Sequence, residues 1–125
     1  MWDGFDKRKF PRLNLHCEIT LQPVERNTPI KAVTENVGVG GICAILNEPL
    51  ARFTQCRILL ELEDALPAVE GMGRIVWTVP TSQAGKRGKR FDTGVEFLDL
   101  SPEGRELLRK FIQDRLSQAP VRVQP

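Results

Sequence analysis

Apolar and polar residues alternate along several short stretches of this chain, which is the period of a half-buried β-strand. The clearest stretch is Leu13–Gln22, where apolar residues occupy every second position. Five further stretches alternate in the same way or form short apolar runs bounded by turn residues: Ile30–Glu35, Ile42–Leu46, Cys56–Leu62, Val69–Val79 and Phe91–Phe97. The pattern therefore predicts six strands, and its alternation places Trp77 on the same strand face as Ile75.

One helix is predicted after the last strand. Ser101 is a good N-cap residue, Pro102 suits the first helical position, and Glu103 favours the positive end of the helix dipole. Apolar residues then recur on one face as far as Leu116. Such a helix needs an apolar surface to cover, and the end of a barrel provides one.

Short strands followed by a single helix predict an all-β fold with a C-terminal helix, a six-stranded antiparallel β-barrel. A parallel α/β fold would need helices between the strands, and the connections are too short for them. The 125 residues suffice for one domain. We expect residues 1–12 to be a flexible N-terminal segment, 13–117 to form the barrel and helix, and 118–125, with two prolines, to be a disordered tail.

Composition excludes several classes of protein. The chain is 41% hydrophobic and 27% charged, has no apolar run of membrane-spanning length, and begins without a signal-peptide core, so we expect a cytoplasmic protein without membrane insertion. A net charge of +2 creates no general field that would recruit nucleic acid. The three cysteines, Cys17, Cys43 and Cys56, lie among apolar strand residues, so we expect them to be reduced core residues.

No arrangement for catalysis is visible, and we predict that the chain is not an enzyme. His16 is the single histidine, and no set of zinc ligands accompanies it, so neither a cofactor nor a metal is expected. Gly38, Gly40 and Gly41 lead into a strand, whereas dinucleotide and P-loop motifs open helices. The basic run Lys86–Arg90 is typical of a solvated loop.

Two features point to an anionic ligand. Arg8 and Arg12 flank a segment that Pro11 makes extended or turning rather than helical. Arginine pairs bidentately with phosphate or with the O6 and N7 of guanine. The turn Asn36–Gly41 combines an amide side chain with glycines, which let backbone N–H groups approach an anion.

Together the two features resemble the signature of the PilZ domain, RxxxR followed one hairpin later by [DN]xSxxG. The resemblance continues through the strands near Trp77 and Gly94 to the helix start, from about Lys7 to Leu116. PilZ domains are six-stranded barrels with a C-terminal helix, and they bind cyclic di-GMP in bacteria. The resemblance thus implies a bacterial cyclic di-GMP receptor that changes conformation and signals to a separate protein, with motility, secretion or polysaccharide machinery as possible targets.

The resemblance also implies roles for individual residues. Arg8 and Arg12 would hold guanine edges and phosphates, Asn36 would bond a base, and residues 1–12 would close as a flap. Lys7 stands where family members that take up a stacked ligand dimer carry a basic residue, which implies two ligands per chain. The implied binding residues are Lys7, Arg8, Arg12, Asn36, Gly38, Gly40 and Gly41.

One departure from the family pattern keeps a second interpretation open. Gly38 replaces the serine of the signature, which removes a hydroxyl worth about 0.5–1.5 kcal/mol if it made one hydrogen bond. The alternative is therefore a PilZ-like protein-interaction module that has lost nucleotide binding. A third interpretation, a barrel binding RNA or single-stranded DNA, lacks the expected aromatic platform, because the chain has no tyrosine.

Overall fold

Seven strands precede one helix in the computed structural model, which describes residues 12–81 and 89–123. In chain order the elements are β1 (Arg12–Leu13), β2 (Glu18–Pro23), β3 (Ile30–Gly38), β4 (Gly41–Leu46), β5 (Gln55–Glu61), β6 (Val69–Pro80), β7 (Phe91–Leu100) and α1 (Pro102–Val123).

Six of the strands form a closed ring. The order is β3, β2, β5, β6, β7 and β4, all neighbours are antiparallel, and β4 pairs back onto β3. The remaining strand, β1, adds two residues beside the end of β3. The predicted six-stranded antiparallel barrel with one C-terminal helix is therefore confirmed.

The core fills the barrel and continues under the helix. Inward-facing side chains such as Leu21, Leu60 and Ile75 are completely buried, and Leu108 and Ile112 of α1 belong to the same apolar cluster. The Ser101 hydroxyl accepts a hydrogen bond from the Gly104 N–H at 3.0 Å, which is the geometry of an N-cap.

The backbone of α1 is helical to Val123, beyond the boundary at Gln118 that the sequence predicted from the end of the apolar pattern and from the prolines that follow. The side chains of the predicted tail, 118–125, lie outside the described residues.

The strand predicted over Leu13–Gln22 is interrupted at residues 14–17, which is a correction to the sequence analysis. Thr34 of β3, fully buried, bridges the interruption. Its hydroxyl accepts from the Cys17 N–H at 2.8 Å and donates to the Leu15 carbonyl at 2.6 Å, while its own N–H donates to the Cys17 carbonyl at 2.8 Å. The Thr34 hydroxyl thus takes the place of the backbone groups that would pair with Leu15 and Cys17 in a regular strand. An alternating sequence pattern gives no sign of such a substitution.

We expect Thr34→Val to lower the free energy of unfolding by about 2–4 kcal/mol, because the buried Cys17 N–H and the partly buried Leu15 carbonyl lose their partner. Urea unfolding measures this loss. Thr34→Ser is the matched control, since it keeps the hydroxyl. Equal stability of the valine variant and the parent would show that the interruption does not depend on this side chain.

Bulges in β3 and β6 change which side chains face outward. The register shifts between Thr34 and Asn36 and again between Ile75 and Trp77. Ile75 is completely buried in the core, whereas Trp77 lies on the outer surface over Gly94. The expectation that these two residues share one face was wrong, because the extra residue of a bulge reverses the alternation after it.

Candidate functional site

The two predicted parts of the binding site meet at the end of β3. Arg12 of β1 stands opposite Gly38, and its Nη1 donates a hydrogen bond to Oδ1 of Asn36 at 2.5 Å. The pairing of β1 with β3 therefore joins residues that are 24 positions apart in the chain. Lys7 and Arg8 lie outside the described residues, so their predicted roles remain predictions.

The glycines of the turn do not all serve the same purpose. Gly38 ends β3, Gly41 begins β4, and the exposed Gly40 accepts a hydrogen bond from the Phe97 N–H at 2.9 Å. A Cβ atom at Gly41 would lie 2.3 Å from the Val95 carbonyl oxygen. Close approach of β7 is therefore sufficient reason for glycine at position 41, whatever the turn binds.

Cross-strand register extends the site over four strands. Asn36 pairs with Cys43, Cys43 with Gly94, and Gly94 with Trp77. The indole of Trp77 covers Gly94, since a Cβ there would lie 2.3 Å from its Nε1. A parallel row runs from Gly41 through Glu96 to Arg74. We call this surface the glycine-floored face; it comprises Arg12, Asn36, Gly38, Gly41, Gly94, Trp77, Glu96 and Arg74.

Sequence reasoning missed three side chains of this face, namely Trp77, Glu96 and Arg74. Two of the family-like segments contain them, which was the available signal. Arg74 donates to Glu96 through Nε at 2.8 Å and through Nη2, so the two charges form an ion pair. Each side chain is more than a third exposed, and such a pair contributes little to stability. The face thus has Arg12 at one end and a neutralised pair at the other.

A group of potential ligand atoms lies next to Asn36. The carboxylates of Glu35 and Asp92 and the thiol of Cys43 lie within 4.8 Å of one another, although no spacing in the sequence indicates a cluster. Burial, then the two carboxylates, raise the pKa of Cys43 to about 11, so the thiol stays protonated near neutral pH. Cys43 is buried but lies outside the core cluster, facing outward, which differs from the core position expected for it. Because the two carboxylates repel anions, the part of the face that attracts an anionic ligand is the end that carries Arg12.

The raised thiol pKa values predict that stability falls in mild alkali. Burial raises the pKa of both Cys43 and Cys56 to about 11, above the ordinary value of 9.0. Their contribution is complete below pH 9 and is lost as the pH rises towards 11, because the unfolded thiols ionise first. Urea unfolding at several pH values measures the loss.

Native thiols should also resist iodoacetamide until urea is added, and rapid alkylation of the folded protein would contradict the burial.

A family model described as the PilZ domain matches residues 6–114. No match was found among curated proteins. Within the described residues, no helix is both long enough and apolar enough to cross a membrane.

Several solved structures have a similar fold. The inhibitor of motility of Bacillus subtilis (MotI/DgrA) aligns with a TM-score of 0.71 and 19% identity over 88% of this chain and 52% of its own. The PilZ domain with c-di-GMP of YcgR from Escherichia coli aligns with a TM-score of 0.68 and 15% identity over 93% and 96%. YcgR of Escherichia coli in complex with c-di-GMP aligns with a TM-score of 0.70 and 13% identity over 93% of this chain and 49% of its own.

This chain therefore spans about half the length of MotI and of the longer YcgR structure, and nearly all of the isolated YcgR domain. At these identities the structural likeness concerns the fold alone. The family model is independent of that likeness and covers all seven strands and most of the helix. We conclude that the chain belongs to the PilZ domain family.

Proposed function

We propose that this chain is a cyclic di-GMP receptor that binds its ligand on the glycine-floored face and signals to a separate protein. The observation that carries the proposal is the Arg12–Asn36 contact, which sets an arginine fork beside the glycine turn. Family membership supports it, as does the fold shared with a YcgR domain whose structure contains c-di-GMP.

The arginine is well placed to recognise a guanine nucleotide. Asn36 accepts from Nη1 and so restrains the plane of the Arg12 guanidinium at the edge of the face. A planar fork in a fixed orientation pairs with guanine O6 and N7 or with phosphate oxygens, and it loses little entropy on binding. Gly38, directly opposite Arg12, has no side chain to obstruct the ligand.

The N-terminal segment would complete the site. The pairing of Arg12 and Leu13 with β3 attaches that segment to the barrel at the edge of the face. Closure of the residues that precede Arg12 would bring Lys7 and Arg8 to the ligand, whose negative charge would neutralise their repulsion with Arg12. We propose two nucleotides per chain, because Lys7 stands where family members that take up a stacked ligand dimer carry a basic residue.

Isothermal titration calorimetry of the purified chain with cyclic di-GMP tests the proposal. We expect dissociation constants in the micromolar range, which correspond to a binding free energy of about −8 kcal/mol. GMP and GTP should bind much more weakly. Absence of heat at ligand and protein concentrations of hundreds of micromolar would favour the alternative, an interaction module without nucleotide binding. A titration endpoint at one ligand per chain would refute only the proposal of two ligands and not the receptor function.

Restoring the family serine should strengthen binding. We expect Gly38→Ser to bind cyclic di-GMP up to about tenfold more tightly, because one hydroxyl hydrogen bond is worth about 0.5–1.5 kcal/mol. Gly38→Ala is the matched control, since it adds the Cβ without the hydroxyl. Equal affinities of the serine and alanine variants would show that no hydroxyl contact exists at this position.

A further inference from the structure

An exposed phenylalanine is held in an unfavourable backbone conformation between β4 and β5. Phe53 has a φ of 74° and a relative exposure of 59%. A positive φ is a genuine outlier for a bulky residue, and its cost must be met by surrounding contacts. Its N–H donates to the Ile75 carbonyl at 2.7 Å, and the Ile75 N–H donates to the Thr54 carbonyl at 2.9 Å. The backbone of the loop is thus fixed to β6 at the position where the ring is exposed.

Two arginines flank the ring. The guanidinium carbons of Arg52 and Arg74 lie 5.0 and 5.9 Å from its centroid. Arg74 is paired with Glu96, whereas Arg52 has no carboxylate within ion-pair distance among the described residues. We call Arg52, Phe53 and Arg74 the Phe53 knob. It is an exposed aromatic side chain on an anchored backbone, with excess positive charge.

A groove with the opposite character lies where β6 meets the start of α1. Its volume is about 740 Å³, and it is lined by apolar Pro67, Ala68 and Leu107 and by acidic Glu70, Glu103 and Glu106, with Lys110 as the one basic lining residue. Glu106 is paired with Arg109, but Glu70 and Glu103 have no ion-pair partner in the described part of the chain. We call this the helix-start groove.

The knob and the groove lie apart on one molecule. Glu70 of the groove and Ile75, which holds the knob, are five positions apart on β6, about 17 Å at the usual strand rise. Phe53 does not line its own groove. Because an aromatic ring beside a positive charge matches an apolar groove that carries carboxylates, the fitting occupant is a second copy of this chain.

We propose that two copies associate by placing the Phe53 knob of each in the helix-start groove of the other. Reciprocal use of one contact closes a twofold dimer. The contact is small, so the dimer is weak, and its ionic part is screened by salt. This association is proposed for the protein without nucleotide, so its test requires no cyclic di-GMP.

Sedimentation equilibrium of the full chain, from about 10 μM to about 1 mM, tests the proposal. We expect reversible dimerisation that weakens with added salt, and at least a tenfold weaker dimer for Phe53→Ala. Val33→Ala is the matched control, since Val33 is 48% exposed on β3 and should leave dimerisation unchanged. A parent chain that stays monomeric throughout, or equal effects of the two substitutions, would overturn the proposal.

Charge reversal keeps the proposal testable if Phe53→Ala disturbs folding. Arg52→Glu and Glu70→Arg should each abolish self-association, because each places like charges across the contact. An equimolar mixture of the two variants should dimerise again, since both contacts then join opposite charges. A mixture that remains monomeric while the parent dimerises would show that the two copies meet through another surface.

Discussion

Arg12→Ala is expected to weaken cyclic di-GMP binding by about 10- to 150-fold, the equivalent of one charge-assisted hydrogen bond of about 1.5–3 kcal/mol. Arg12 is already positioned beside the glycine turn before any ligand arrives, because β1 pairs with β3 and Asn36 accepts its Nη1–H. Titration calorimetry measures the loss. Arg57→Ala, an exposed arginine on β5, is the control that removes one positive charge elsewhere.

Asn36→Ala should cost less than Arg12→Ala, because a neutral hydrogen bond is worth about 0.5–1.5 kcal/mol. The two effects should not be additive. Loss of Asn36 also releases the guanidinium, so the double variant should bind only slightly more weakly than Arg12→Ala alone. Arg8→Ala should resemble Arg12→Ala if the N-terminal segment closes on the ligand. Unchanged affinity in both arginine variants would show that the ligand binds elsewhere.

Gly41→Ala is expected to destabilise the barrel by about 1–3 kcal/mol or more, because the new methyl group would meet backbone rather than a movable side chain. Its Cβ would lie 2.3 Å from the Val95 carbonyl oxygen and 3.1 Å from the Cα of Glu96, so β4 and β7 must separate locally. Urea unfolding measures the change, and calorimetry on the folded fraction measures its effect on binding. If the variant is as stable as the parent but binds more weakly, Gly41 contacts the ligand instead.

The outline of the fold could be predicted because it depends on local patterns. Alternating apolar residues mark strands wherever one face is buried, and Ser101 begins the helix where its hydroxyl caps it. The pattern failed where one residue interrupts the regular spacing. The Thr34 hydroxyl takes the place of backbone hydrogen-bond partners of Leu15 and Cys17. The bulge before Trp77 reverses which side of the strand the following side chains face.

The candidate site shows the same division. Arg12, Asn36 and the glycine turn were identified from residue types and spacing, and the structure brings them together. Trp77 was assigned to the wrong face, and the grouping of Glu35, Cys43 and Asp92 was not anticipated. Those residues come from separate strands, so their proximity depends on strand order and register.

Local sequence is enough to predict the strand pattern, the helix start and the pair of motifs that indicate an anionic ligand, because each depends on residues close together in the chain. Only the folded barrel shows that Gly41 must accommodate β7, that Trp77 covers Gly94, and that Phe53 projects between two arginines. These are contacts between strands that are distant in sequence. Barrel closure sets them through register and bulges, and neither is encoded in the alternation of one strand.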